Sequence, residues 1–98
     1  MKTSELQGAA LDWAVEKANG GDHTYNPRGY SMDWAFGGPI IDEEKISPIP
    51  YSVDGAGWYA CKRPLIFKQD GPTPLIAAMR CYVASILGEE VEIPEDLK

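Results

Sequence analysis

Twelve residues from Tyr25 onward read Tyr-Asn-Pro-Arg-Gly-Tyr-Ser-Met-Asp-Trp-Ala-Phe, and Tyr25, Tyr30, Trp34 and Phe36 are four of the chain's ten aromatic residues. Rigid amphipathic rings among Asn26, Arg28, Gly29, Ser31 and Asp33 are the chemistry of a recognition surface: the rings supply area and the short side chains supply hydrogen bonds. An indole such as Trp34 or a phenol such as Tyr30 can stack on a flat base, and Arg28 or Arg80 can pair with phosphate. Gly37-Gly38-Pro39 follows as a tight turn able to face backbone N–H groups outward, but it lacks the spacing of a phosphate-binding loop. The same rings serve equally well as a lid plastered over a small core.

Further on, Lys62, Arg63, Lys68 and Arg80 stand against Asp70 alone in residues 57–82, a modest basic set, with Trp58 just before it. The residues that could hold a small anionic or nucleotide-like ligand are therefore Tyr30, Asp33, Trp34, Gly37, Gly38, Trp58, Lys62 and Arg80. Arg80 has two other readings. It snorkels from the buried stripe of a helix to the surface, or it pairs with an acid such as Asp33.

Catalytic chemistry is poorly represented. His23 is the sole histidine, in a polar segment beside Asp22; Asp33 with His23, or Cys61 with His23, are the available pairs, and neither has a local motif around it. There is no CxxC and no HExxH, so the residue pattern specifies no catalytic group, metal or cofactor. Cys61 and Cys81 fall in strand-like and helix-like runs, as small core residues do.

The elements that must position these groups follow from periodicity. Thr3 or Ser4 can cap a first helix, and Ser4-x-x-Gln7 has the spacing of a capping box. Leu6, Ala9, Ala10, Trp13 and Ala14 give its apolar stripe, Leu11, Val15 and Ala18 widen it, and Asn19-Gly20-Gly21 ends it. Residues 20–39 show neither helical nor strand period and read as a long aromatic loop. Residues 39–46 open either a short helix with Pro39 at its first position or a brief strand. Ser47-Pro48-Ile49-Pro50 is extended, because two prolines forbid a helix interior and a central strand. Asp54-Gly55 is a turn, residues 58–63 form a strand that Leu65-Ile66-Phe67 continues as an edge, and Gln69-Asp70-Gly71-Pro72 is a turn. Thr73-Pro74 is the strongest local signal: a capping threonine followed by proline at the first helical position. Leu75, Ile76, Met79, Val83, Ile86 and Leu87 form the buried stripe of that second helix, and Gly88 stops it.

The expected architecture is a single α+β domain spanning residues 1–98: two amphipathic helices packed on a small antiparallel sheet, with a long aromatic loop. Residues 89–98 form an acidic extension whose Val91 and Ile93 can dock as a last short strand. With 98 residues, 44% apolar and 24% charged, the chain has the composition of a globular protein with one core. A sheet this small leaves faces open, so a homo-oligomer is expected. The net charge of −6 argues against double-stranded DNA as a primary partner. No apolar run reaches the roughly 20 residues of a membrane span. The start of the chain carries no apolar signal segment.

Three blocks carry a resemblance to a known family. They are Gly8-Ala9-Ala10-Leu11-Asp12-Trp13-Ala14-Val15; Asp33-Trp34 with Gly38-Pro39-Ile40-Ile41; and Gly71-Pro72-Thr73-Pro74-Leu75-Ile76-Ala77-Ala78-Met79-Arg80-Cys81-Tyr82-Val83-Ala84. Together they resemble the NinX-like proteins of lambdoid phages, encoded in the nin region. The third block is the specific one, and residues 46–57 match no part of the pattern. The resemblance implies an accessory phage protein made in the host cytoplasm and assigns no catalytic residue. It makes two functions worth testing: a small-ligand module that sequesters a nucleotide signal of host immunity, and an interaction module that inhibits a host protein through an acidic face (Asp42, Glu43, Glu44 and the acids of residues 89–96).

Overall fold

The computed structural model describes residues 1–20, 29–50, 57–62 and 68–97. In chain order these form helix α1 (Gly8–Ala18), helix α2 (Trp34–Glu44), strands β1 (Ile46–Pro50), β2 (Trp58–Lys62) and β3 (Gln69–Gly71), and helix α3 (Pro74–Leu87). One-turn 3₁₀ helices, Thr3–Glu5 and Glu95–Leu97, lie at the two ends. The fold is α+β, as the sequence implies, with a third helix where two were expected.

Helix α3 is the centre. Thr73 caps it, with Oγ1 accepting from Ile76 N at 3.1 Å, and Pro74 follows at the first turn. Ten consecutive residues, Leu75 to Ala84, are then buried. A helix covered on all sides carries apolar residues around its whole circumference, and Ala77, Ala78 and Ala84 let neighbours come close. α1, α2 and all three strands pack on it. Only its last turn is open: Ile86, expected in the buried stripe, is 49% exposed. Gly88, at φ +90°, ends the helix as the sequence indicates.

α1 buries Ala10, Leu11, Ala14 and Val15, so the buried stripe is rotated one residue from the one centred on Ala9 and Trp13. Gly20, at φ +84°, follows it. The expected Thr3 or Ser4 cap is not made. The helix starts at Gly8, and Thr3 is fully buried, its hydroxyl donating to Gly88 O at 2.7 Å. Thr3 N donates to Glu89 O at 2.8 Å and Val91 N to Met1 O at 2.9 Å. The acidic extension thus docks on the first residues and buries Val91 and Ile93, but its strand character is limited to one bridge, Lys2 with Glu90.

The sheet order is β1-β2-β3, antiparallel throughout. Residues 46, 48 and 50 of β1 aim their backbone groups one way, and residues 47 and 49 the other. Proline donates nothing, so the ladder to β2 runs through Ser47 and Ile49, and Pro48 and Pro50 blunt the open edge. Gln69-Asp70-Gly71 is a strand instead of the expected turn. Gly71 pairs with Trp58, and a Cβ there would sit 2.7 Å from Ala77 N, so only glycine lets β3 lie this close to α3. The Asp54-Gly55 turn and the edge of Leu65, Ile66 and Phe67 lie outside the described residues.

Candidate functional site

The largest correction concerns the aromatic stretch. Residues 34–44 are helix α2, with Asp33 as its cap: Oδ1 accepts from Ala35 N at 2.9 Å. Gly37 and Gly38 are helical residues and make no turn, and Pro39 sits inside the helix, not at its start. Lys45, at φ +56°, terminates it in the left-handed conformation.

Helical spacing divides α2 into two sides. Gly37 and Ile40 are buried against α3. A Cβ on Gly37 would stand 2.5 Å from both Leu75 Cδ1 and Tyr30 O. Trp34, Gly38, Ile41, Asp42 and Lys45 lie on the outer side at spacings of three and four. Gly38, Ile41, Asp42, Lys45, Ile46 and Ser47 line an open depression of about 390 Å³. The Trp34 indole stands on its rim, with Cε3 3.7 Å from where a Gly38 Cβ would be. Trp34 is 53% exposed, Met32 before it 77%, and Phe36 39%.

Of the eight residues selected from sequence, only Trp34 and Gly38 belong to this surface as open groups, with Asp33 committed to the cap beside them. Tyr30 is buried. Its hydroxyl donates to Glu16 Oε1 at 3.1 Å, and its ring meets Phe36 edge-on with centroids 6.4 Å apart. Asp12 Oδ1 accepts from Ser31 N at 2.9 Å, so two acids one turn apart on α1 hold residues 30 and 31 down. Gly37 is packing, not recognition. Trp58 packs half-buried against the core. Lys62, at the other end of β2 and roughly 13 Å along the strand, donates to Glu44 Oε1 at 2.6 Å and to Ser85 Oγ at 3.4 Å.

Arg80 neither snorkels nor meets Asp33. It is 9% exposed, and it donates from Nε to Leu6 O and from Nη1 to Asp70 O, both at 2.8 Å. Burial lowers its pKa from the ordinary value, and Asp70 pulls it back up. The eight residues therefore do not form one cleft. Met32, Ile41 and Lys45 were not among the residues selected from sequence; Ile41 and Lys45 reach this surface only because residues 34–44 are helical.

The nucleophile candidates fare no better as a group. His23 lies outside the described residues, and both cysteines are thiols. Cys81 is fully buried, and burial, reinforced by Cys61, pushes its pKa up to about 12 although Lys62 lowers it. Burial also raises Tyr82, with help from Glu44, Glu43 and Tyr30. Both groups fold as neutral acids, so the stability they support is full below their unfolded pKa values and drains away as pH climbs from about 9 toward 12. At pH 8 the thiolate fraction of Cys81 is ~10⁻⁴, so iodoacetamide should label Cys61 first and reach Cys81 only in denaturant. Peptide mapping after timed labelling checks this; equal native labelling of the two would show that Cys81 is not sealed. Among the described residues, no three His, Cys, Asp or Glu side chains come together as a metal site, and no helix is long and apolar enough to cross a membrane.

Geometry thus defines a small α+β protein with an open depression on one helix, beside an exposed indole. The chain belongs to the phage family described as Bacteriophage P22, NinX, whose family model matches residues 2–86. That span takes in all three helices but for one residue, and the whole sheet. No curated protein is significantly similar to the chain.

Proposed function

We propose that this phage accessory protein is a non-enzymatic binding module, acting in the host cytoplasm, that docks on a host protein through the outer side of α2. The observation that carries this reading is the exposure of Trp34 beside an open depression, with Met32 exposed two residues before it. A large indole left half in water forgoes burial free energy, and Trp anchors are enriched where partners dock. Asp42 and Glu43, exposed on the same helix of a chain of charge −6, select a partner whose apolar slot has a basic rim.

The test is capture from host lysate with the tagged protein and with Trp34→Ala side by side. Trp34 is an exposed residue, so the substitution should leave stability within about 0.5 kcal/mol. A stoichiometric partner held by the native chain, weakened by added salt and lost with Trp34→Ala, is the expected outcome. Identical captures by both proteins, or none by either, would refute docking through this side. Light scattering on the purified protein separates pairing of two copies from binding of a host protein.

The same indole supports a second reading, the stacking of a nucleotide-like host signal on Trp34. Saturable quenching of tryptophan fluorescence by a cyclic nucleotide, abolished in Trp34→Ala, would favour it over protein docking. Unchanged fluorescence across a nucleotide panel at millimolar concentration would dismiss it.

A further inference from the structure

Unused recognition chemistry also surrounds Arg80. Its guanidinium is buried, yet among the described residues no carboxylate lies within ion-pair distance of it; both of its acceptors are neutral backbone carbonyls. A charge taken out of water is ordinarily paired, and carbonyl dipoles solvate it without neutralising it. Nε and Nη1 are occupied, and Nη2 has no hydrogen-bond partner among the described residues.

Arg80 forms part of the wall of an open cavity of about 390 Å³, shared with Ser4, Lys68, Gln69 and Asp70. Lys68 is held there by an aromatic ring: its ammonium rests 4.6 Å from the centroid of Tyr59. Arg80 and Lys68 against Asp70 leave the cavity one positive charge in excess. A neighbouring hollow, lined by Lys2, Ser4, Gln69, Glu89 and Glu90, shares two of its residues and brings two acids to its border.

We propose that this cavity binds a small oxyanion carrying a single negative charge, a carboxylate or a phosphate monoanion. Arg80 Nη2 and Lys68 donate to the anion, and the Ser4 hydroxyl adds a neutral donor. The single excess charge sets the valence; at the border Lys2 and the N-terminal ammonium, 3.6 Å from Glu90, offset the two acids and add no further positive charge. The site is independent of α2 and of whatever docks there.

The experiment is a thermal melt of the full chain in rising acetate, in rising inorganic phosphate at pH 6, and in rising inorganic tripolyphosphate, each matched in ionic strength with chloride. Acetate or phosphate should raise the Tm saturably above the chloride control while tripolyphosphate does not, and the arm that saturates at lower concentration tells carboxylate from phosphate. Arg80 also holds the fold together, so the variants are Lys68→Ala and Ser4→Ala, both exposed positions expected to fold normally. Lys68→Ala should weaken the response about tenfold, and Ser4→Ala by less. Backbone amide shifts on titration should centre on residues 4, 68, 69 and 80. A response equal to chloride alone, or one that Lys68→Ala leaves intact, overturns the proposal.

Discussion

Replacing Gly37 by Ala should destabilise the protein by roughly 2 kcal/mol, whereas replacing its neighbour Gly38 by Ala should leave it as stable or more so. Two effects compete at both positions. Alanine is favoured over glycine inside a helix by about 1 kcal/mol, which alone would stabilise either variant. At Gly38 nothing opposes that gain, because the new Cβ would meet only Trp34 Cε3 at an ordinary 3.7 Å. At Gly37 the methyl would lie 2.5 Å from Tyr30 O and from Leu75 Cδ1. The leucine methyl can turn away, but the carbonyl belongs to backbone whose Ser31 N and Tyr30 hydroxyl are both tied to α1. Overpacking against fixed backbone lies at the upper end of about 1–3 kcal/mol, so about 2 kcal/mol of loss remains after the propensity gain of about 1 kcal/mol. For a domain of this size the Gly37→Ala loss corresponds to a Tm lower by about 10 °C. Calorimetry of the two variants decides the matter; a Gly37→Ala protein as stable as Gly38→Ala would mean that α2 does not approach α3 as described. Gly38→Ala also narrows the notch beside Trp34, so a well-folded Gly38→Ala with impaired docking would locate the partner in that notch.

A larger loss is expected from Arg80→Met, about 3–5 kcal/mol from two charge-assisted hydrogen bonds and two stranded carbonyls. Methionine keeps the apolar stem, so packing changes little and the loss isolates the guanidinium. Leu6 O belongs to the segment before α1 and Asp70 O to β3, so one planar group clamps two elements onto α3. Arg80→Lys should recover less than half of that loss, because a single ammonium cannot present two donors in the fork geometry that spans both carbonyls. Stability of a small domain is about 5–15 kcal/mol in total, so Arg80→Met would stand near the edge of folding at 37 °C. Urea melts of both variants test this; an Arg80→Lys curve superimposed on the native one would remove the clamp from the account. The substitution also bears on the anion site, which is why that site is tested at Lys68 and Ser4 instead.

Among the elements, α3 and the edge strand were legible in the residues themselves. Thr73-Pro74 supplies its own cap and first turn, and Gly88 its own stop, through bonds made within a few residues. Pro48 and Pro50 exclude a central strand whatever surrounds them. The exposed acids and the docking of Val91 and Ile93 were likewise open to inspection of side-chain type. Helix α2 was legible only in part: residues 39–46 allowed a short helix as one of two readings, and residues 39–44 are helical, but its first half was not, since two glycines and a proline in succession carry an intrinsic helix penalty of about 5 kcal/mol, the mark of a turn. What overrides that penalty is tertiary packing: Gly37 has no side chain because Leu75, more than thirty residues away, and the nearer Tyr30 O occupy the space. The same holds for Gly71, read as a turn glycine and found to be where β3 touches Ala77, and for Arg80, whose helical position says that it is near the core but not which carbonyls await it. Local pattern records a residue's own conformational preference. Which glycine is a hinge, which is a contact and which cation is a clamp depends on what the folded chain brings against it, and that is decided in three dimensions.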